Sequence, residues 1–307
     1  MIRYMAGRVG QALFILLGIT FVTYTLLFLL PADPVRALTK GSATPEVVEN
    51  IRRQLGLDLP FWQQYLRYLG HLLQGDLGRS YQQKTEVTEL ILSRLPATLL
   101  LMAGAIAWEL VLGLAAGIWA ATRRGRAGDR AVMLLAFAAV SAPQFVVGIL
   151  LLYVFSVQLA WLPLGGYGEL RHLVLPSLTL GLLGAGWYAR MSRTAMVEAL
   201  GQDYIRTARA KGAGEWRVVL VHAFRNAALP IVAMIGLDIG IFMSGAVVVE
   251  SVFGWPGIGQ LAWQAIQRVD IPIIVGVTTV AAVFIVLGNL LADLVAPWVD
   301  PRIRLQR

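Results

Sequence analysis

The sequence predicts an all-α integral membrane protein with six transmembrane helices and a helical external insertion after the first of them. Three observations lead to this fold class. The chain is 57% hydrophobic and 14% charged, whereas soluble domains are about 45–50% apolar and about 25% charged. Its apolar residues are concentrated in six stretches, and a hydrocarbon core takes about 20 helical residues to cross. Its basic residues lie mostly in alternate connections, as is typical of membrane proteins.

The six predicted spans differ in how clearly they are bounded. They cover residues 9–30, 97–121, 131–162, 173–189, 229–249 and 271–296. The first is uncharged and is followed by Pro31 rather than by a cleavage site, so we interpret it as a retained helix. The fourth is short and begins near Pro176. In the third, Pro143 predicts a break whose freed backbone groups are satisfied by neighbouring protein.

The distribution of Lys and Arg predicts the orientation. The N-terminus, the loops 123–130 and 190–228 and the tail 302–307 carry sixteen basic residues, whereas the short loops on the other side carry only Arg171 and Arg268. Because cytoplasmic loops are enriched in Lys and Arg, we predict that both termini are cytoplasmic. This placement explains the net charge of +8, so nucleic acid is not expected as a partner. The chain has no cysteine, which excludes disulfides and cysteine-ligated metals.

Residues 31–95 form the predicted external insertion, with eight basic and seven acidic residues. Thr44 is a helix-capping residue type and predicts an amphipathic helix that stops at Gly56. Pro60 predicts the start of a second amphipathic helix. A third short helix, around 86–94, is predicted to lead through Pro96 into the second span. A piece of this size favours an ordered cap over a separate folding unit, so residues 1–307 are predicted to form one transmembrane domain.

The basic loop 190–228 predicts a protein-docking surface. It has seven basic and three acidic residues, and its centre is rich in small residues, which let another backbone approach closely. Leu200, Tyr204 and Ala208 fall on one stripe of a short helix that Gly212 ends, and a second helix then returns to the bilayer. The alternatives are a solvated loop that only sets the orientation, or a helix held to anionic lipid at about 1 kcal/mol per basic residue.

The amino-acid sequence of this loop resembles that of a known protein family. Residues 198–212 read Glu-Ala-Leu-Gly-Gln-Asp-Tyr-Ile-Arg-Thr-Ala-Arg-Ala-Lys-Gly, and residues 222–230 read His-Ala-Phe-Arg-Asn-Ala-Ala-Leu-Pro. This pattern closely resembles the coupling loop of binding-protein-dependent ABC importer permeases of the peptide/nickel subfamily. In that family the loop helix sits in a groove on the cytoplasmic ATPase and transmits its movement. Arg206-Thr207-Ala208 stands where the general motif has Glu-Ala-Ala, a variant common in the subfamily.

Three further segments extend the resemblance to nearly the whole chain. Residues 56–80 resemble the external segment of the first of the two permeases in such systems, and residues 250–259 and 300–302 are similar too. The resemblance implies a type I ABC importer permease in a bacterial inner membrane. Its implied partners are a second homologous permease, two cytoplasmic ATPase subunits and an external solute-binding protein. The implied substrate is a di- or oligopeptide, with nickel and glutathione as alternatives.

The resemblance also implies roles for particular residues. The implied ATPase-coupling residues are Leu200, Asp203, Tyr204, Arg206, Ala208, Arg209, Ala210, Lys211, Gly212, His222 and Asn226. The turn with Glu250, Trp255, Pro256 and Gly257 is a candidate external gate or binding-protein contact, and an ordinary interfacial turn is the alternative. The chain has no Gly-x4-Gly-Lys-Ser/Thr phosphate loop, so ATP and Mg²⁺ are expected on the partner subunits. We expect neither catalytic residues nor a metal site.

Three acidic residues lie inside predicted spans, namely Glu109, Asp238 and Asp293. A charge at the bilayer centre costs about 2.5–3.5 kcal/mol on insertion scales, so these residues should face protein or a water-filled cavity. Glu109, Asp238 and Pro143 are candidate translocation-pathway residues, and a polar link between helices is the alternative for the two acids.

Two rival classes follow from the same sequence. An intramembrane enzyme would use Asp238 and Asp293 as a pair that shares one proton, but the two residues lie at different depths in their spans. A passive channel or secondary carrier would need no docking loop, and secondary carriers often show internal repeats, of which this chain has none.

Overall fold

The computed structural model describes residues 2–29, 35, 39, 44–54 and 56–299. Every named element within these residues is a helix, and the extended pairing among them is one isolated antiparallel bridge between Arg79 and Glu86. The predicted all-α class is therefore confirmed. The tail that follows residue 299, including the similar segment 300–302, lies outside the described residues.

Within the described residues, the first three helices follow the predicted order. They are α1 (Ile2–Phe28), α2 (Pro45–Gln54) and α3 (Phe61–Leu73). Gly56 follows α2 with φ +67, a left-handed conformation that glycine adopts without steric cost. Both amphipathic helices predicted for the insertion are thus confirmed. Residues 31–34, 36–38, 40–43 and 55 are outside the described part of the insertion.

One long helix leads into the second predicted span. α4 (Val87–Trp108) continues through a π-helical segment, π1 (Glu109–Leu114), into α5 (Ala115–Thr122). The short helix predicted around 86–94 is the first part of α4, which continues through Pro96 into the second span as one helix. Proline removes one backbone N–H, and within a membrane bundle neighbouring groups can satisfy the carbonyl that this frees.

The third predicted span is broken where the sequence places the break. α6 (Ala127–Ser141) and α7 (Gln144–Leu151) are joined at Ala142 and Pro143, and α7 continues into π2 (Leu152–Gln158). The two halves are bent by 103°. Pro143 precedes α7 in an extended conformation. The predicted break at Pro143 is confirmed.

The second half of the chain begins with a single helix of 31 residues, α8 (Leu170–Leu200). At 1.5 Å per residue its length is about 46 Å, more than the roughly 30 Å of a hydrocarbon core. The remaining helices are α9 (Asp203–Ala210), α10 (Glu215–Arg217), π3 (Val218–Ala223), α11 (Phe224–Gly245), α12 (Val247–Val252), α13 (Ile258–Arg268) and α14 (Ile271–Val299). The predicted fifth span, 229–249, is therefore interrupted between α11 and α12.

Four helices of the described chain are long and apolar enough to cross a membrane, and a fifth span results if α6 and the helix after it count as one. The four cover Gly7–Leu26, Val87–Thr122, Glu215–Met243 and Ile271–Asp293. The predicted fourth span lies inside α8, which is long enough but not among these apolar helices. The count of six spans stays a prediction.

The chain divides into two compact units. Unit 1 contains Met1–Thr98, Met243–Val247 and Pro256–Val286. Within it α3 packs on α1 through aromatic rings, and the ring of Phe21 lies 5.5–5.9 Å from three rings of α3. Edge-to-face aromatic pairs at this distance add to the stability from buried area.

Unit 2 contains Leu99–Phe242, Val248–Trp255 and Leu287–Arg307. Its helices approach closely at small residues. A Cβ atom at Gly113 of π1 would collide with Tyr188 of α8, and one at Gly236 of α11 would lie 3.0 Å from the carbonyl oxygen of Gly288 on α14. Such small-residue contacts allow close helix packing in lipid, where no hydrophobic force draws helices together.

Candidate functional site

The central element of the loop 190–228 is α9, an eight-residue helix between two turns. α8 ends at Leu200, and the chain turns at Gly201 before α9 begins. At the other end Gly212 has φ +82, and its N–H donates to the carbonyl of Arg209 at 2.9 Å. An L-residue in this conformation costs roughly 1–2 kcal/mol. Glycine at 212 therefore allows the chain to reverse directly into α10, in the predicted order of helix, glycine break and returning helix.

One face of α9 is buried in an apolar cluster, which we call the loop cluster. Ile205 is 0% exposed, and Leu200 and Ala208 pack against the cluster. Its other buried members come from α5, α8, π3 and α11, and they are Ala121, Met196, Ala199, Val218, Val219, Ala223 and Ala227. Burying an isoleucine side chain contributes about 1.5–3 kcal/mol, whereas an isolated helix of this length is not stable in water. α9 therefore depends on the loop cluster for its structure.

Polar contacts hold α9 from two sides. The side-chain amide of Asn226 on α11 donates to the hydroxyl of Tyr204 at 3.1 Å and to the carbonyl of His222 at 2.9 Å. Arg209 donates to both carboxylate oxygens of Glu215, at 2.7 and 3.1 Å, and this hydrogen bonding raises the pKa of Arg209. The pair ties the end of α9 to the start of α10. The sequence did not identify Glu215, because a pair six residues apart across a turn follows no helical spacing.

The opposite side of α9 is open to solvent. The side chains of Arg206 and Asp203 are 80% and 96% exposed and lie 3.6 Å apart, a surface ion pair of little energetic value. Ala210 and Lys211 are also exposed. Trp216 at the start of α10 is 77% exposed, and Trp and Arg are enriched at the energetic centres of interfaces. We call these five residues the loop face; Trp216 was not among the residues predicted to couple.

The predicted external turn is packed inside the chain. Trp255 and Glu250 are both fully buried, and the backbone N–H of Trp255 donates to the carbonyl of Glu250 at 2.8 Å. The Trp255 ring lies edge-on to Tyr167 at 4.9 Å. Gly257 is buried and Pro256 half-buried. The two buried side chains fix the turn from within, so the role of this turn as a gate or as a binding-protein contact stays a prediction.

Two of the candidate pathway residues lie together in unit 2. Glu109, the first residue of π1, has its carboxyl group within hydrogen-bonding range of Asp238 on α11. Tyr188 of α8 donates its hydroxyl to Oδ2 of Asp238. Gly184 of α8 leaves the space that the Glu109 carboxyl fills, since a Cβ atom there would collide with it. Pro143 lies at the bend that precedes α7. The sequence had identified both acids but not their contact or Tyr188.

A buried acid in unit 1 anchors the insertion to the start of α14. Asp270 accepts hydrogen bonds from the Ser80 hydroxyl at 2.5 Å and from the backbone N–H groups of Tyr81 and Gln82 at 3.1 Å each. Burial, together with nearby Tyr24 and Asp270, raises the pKa of Tyr81 to about 12. No local pattern predicts this anchor, because 190 residues separate Ser80 from Asp270.

The fold and the loop together define a class of protein, a helical membrane protein with a short helix held in place in the loop between two long helices. Two family models match the chain. Residues 113–305 match the binding-protein-dependent transport system inner membrane component, and residues 1–102 match the N-terminal part of the membrane component of such systems. The chain therefore belongs to the family of binding-protein-dependent transport system inner membrane components.

Full-length relatives agree with this assignment. A protein of Brucella ovis named as a candidate peptide permease is 43% identical to this chain, over 99% of both chains. The glutathione transport system permease protein GsiC of Escherichia coli K12 is 40% identical, also over 99% of both. The resemblance found in the sequence is confirmed. The chain is a membrane-spanning translocation subunit of an ABC importer and not an enzyme, and it works with further transport components and a binding protein.

Proposed function

We propose that the loop face is the surface on which a cytoplasmic ATPase docks, and that α9 transmits the movement of that ATPase to the membrane helices. The observation that supports this proposal is the division of α9 into two faces. Ile205 is buried against α5, α8 and π3, while Arg206 and Trp216 are exposed. Because the loop cluster joins α9 to the ends of α5, α8 and α11, a displacement of α9 moves those helices rather than bending a free loop.

The same proposal assigns the other partners. ATP and Mg²⁺ are held by two ATPase subunits, and this chain holds no cofactor. A second homologous permease completes the bundle, and an external solute-binding protein meets the insertion 31–95 and the turn 250–257. Loop 190–228 and both termini lie on the cytoplasmic side of a bacterial inner membrane, which the sixteen basic residues of that side support.

A charge-reversal pair tests the docking proposal. Arg206→Glu changes an exposed side chain of the loop face, and Arg126→Glu makes the same change in the exposed loop 123–130. We expect Arg206→Glu to reduce both the amount of ATPase that co-purifies with the chain and ATP-driven uptake, and Arg126→Glu to leave both near wild type. Equal ATPase recovery and equal uptake in the two variants would contradict docking at α9.

For the substrate we propose short peptides. The supporting observations are the names of the relatives, a candidate peptide permease and a glutathione permease. Glutathione is itself a tripeptide, and the Escherichia coli relative makes it the second candidate. The test is uptake of a labelled dipeptide, and separately of labelled glutathione, into vesicles that contain the whole transporter and its binding protein; unlabelled glutathione is also added as a competitor of the dipeptide. Dipeptide uptake that glutathione does not inhibit supports the peptide assignment, and glutathione uptake without dipeptide uptake contradicts it.

A further inference from the structure

Three helices of unit 2 meet at a buried group of titratable side chains that docking does not use. Glu109 of π1 is 2% exposed, and its carboxyl group lies within hydrogen-bonding range of Asp238 on α11. Tyr188 of α8 donates its hydroxyl to Asp238 Oδ2. Oε2 of Glu109 is buried and accepts no hydrogen bond from the described residues. The Tyr188 hydroxyl thus donates its hydrogen bond to Asp238, and Oε2 of Glu109 accepts none from the described residues.

Two ionised carboxylates in contact would be unfavourable at this position. At a separation of 4 Å and an effective dielectric constant of 20, two unit charges of the same sign repel by about 4 kcal/mol. A carboxylate pair at such a distance therefore retains one proton, as in two carboxyl groups that titrate together. A buried oxygen without a partner also costs more when it is charged than when it is the carbonyl oxygen of a neutral acid.

The surrounding backbone is shaped for this contact. Glu109 begins a π-helical segment, a distortion that is frequent at functional sites. Gly184 on α8 leaves room for the Glu109 carboxyl, and Gly113 leaves room for Tyr188. Any larger residue at position 184 would displace Glu109 from Asp238.

We propose that Glu109 and Asp238 form a proton-binding site inside the membrane, in which one proton is shared by the two carboxyl groups and Tyr188 is the positioning residue. The neutral partner is Glu109, whose Oε2 is then a carbonyl oxygen, and the ionised partner is Asp238, which accepts from the Tyr188 hydroxyl. The site carries one negative charge in total. The groups that face the shared proton are Glu109 from π1, Asp238 from α11 and Tyr188 from α8.

Infrared spectroscopy of the assembled transporter tests the proposal, because exposed carboxyl groups are ionised at pH 8 and only a protonated acid gives a carboxylic C=O band. We expect the wild type to show such a band, shifted in D₂O, and Glu109→Gln to remove it. In Asp238→Asn the buried Glu109 keeps its proton, and we expect the band to remain but to change frequency, because the acceptor beside Glu109 is now an amide. Glu89→Gln, the same change at an exposed position of α4, is the matched control and should leave the band intact.

Each outcome decides the proposal. A wild-type spectrum without a C=O band assignable to Glu109 or Asp238 would mean that both are ionised, and that a bound cation rather than a proton neutralises them, which overturns it. Persistence of the full band in Glu109→Gln, or an unchanged frequency in Asp238→Asn, would overturn it as well. Tyr188→Phe should keep the band but shift its frequency, since Asp238 loses its donor; an unshifted band would overturn the role of Tyr188. The wild-type measurement needs no variant to fold.

Discussion

Replacing Ile205 with alanine should detach α9 from the rest of the chain without unfolding the bundle. Ile205 is fully buried in the loop cluster, and Ile→Ala substitutions at buried sites cost about 2–5 kcal/mol. The cluster consists mainly of alanine and valine, so we expect a value near the lower end. A loss of about 2 kcal/mol raises the equilibrium constant for local opening about 30-fold. Because an eight-residue helix has little stability of its own, this opening should be confined to α9 and its turns.

Hydrogen exchange measures this opening directly. Amides of α9 and the following turn, such as that of Lys211, which donates to the carbonyl of Thr207 at 3.1 Å, should exchange about 30-fold faster in Ile205→Ala, while those of α8 keep their wild-type rates. Val221→Ala, which trims a half-exposed side chain of π3, should change little. ATPase recovery should fall only in Ile205→Ala. Unchanged exchange of α9 in that variant would refute the view that the loop cluster holds this helix in place.

Three further predictions follow. Gly212→Ala should destabilise the turn after α9 by roughly 1–2 kcal/mol, because Gly212 has φ +82. The control Gly214→Ala, at φ −63, should not. Equal hydrogen-exchange rates of the turn amides in the two variants would contradict this prediction. Arg209→Glu should loosen the turn, and adding Glu215→Arg should restore it if the ion pair is what matters. The pKa of Tyr81 is raised from 10 to about 12, so this residue contributes stability that is present below pH 10 and is lost as pH rises through 12. Tyr81→Phe should therefore reduce the loss of stability at alkaline pH. An unchanged dependence of stability on pH would contradict the raised pKa.

The helices were predictable where hydrophobic patterning and turn residues agree. Gly56 and Pro60 bounded the two helices of the insertion, and Pro143 marked the bend before α7. The chain leads through Pro96 into the second span as predicted, but the sequence did not show that α4 is one unbroken helix across this proline. The local pattern contains no information on whether neighbouring groups will satisfy the carbonyl that a proline frees.

The sequence predicted which residues of the loop and of the membrane spans matter, but not which of them contact each other. The loop motif identified Tyr204, Arg209 and Asn226, yet no spacing rule showed that Asn226 would donate to Tyr204 or that Glu215 would pair with Arg209. These contacts depend on how α9 folds back on π3 and α11. The sequence showed that acids inside the membrane are costly. It did not show that Glu109 lies beside Asp238, because this depends on how α8, which contacts both residues, packs against π1 and α11.

Cysteine footprinting tests the docking of an ATPase on α9 most directly, because the chain has no cysteine of its own. A single cysteine replaces Arg206 on the loop face, and a second variant replaces Leu73, which is equally open to solvent at the end of α3. Labelling by a polar maleimide is timed with and without the ATPase subunits. We predict that the ATPase slows labelling at 206 and leaves the rate at 73 unchanged. Equal labelling rates at 206 with and without a bound ATPase would contradict docking on the loop face.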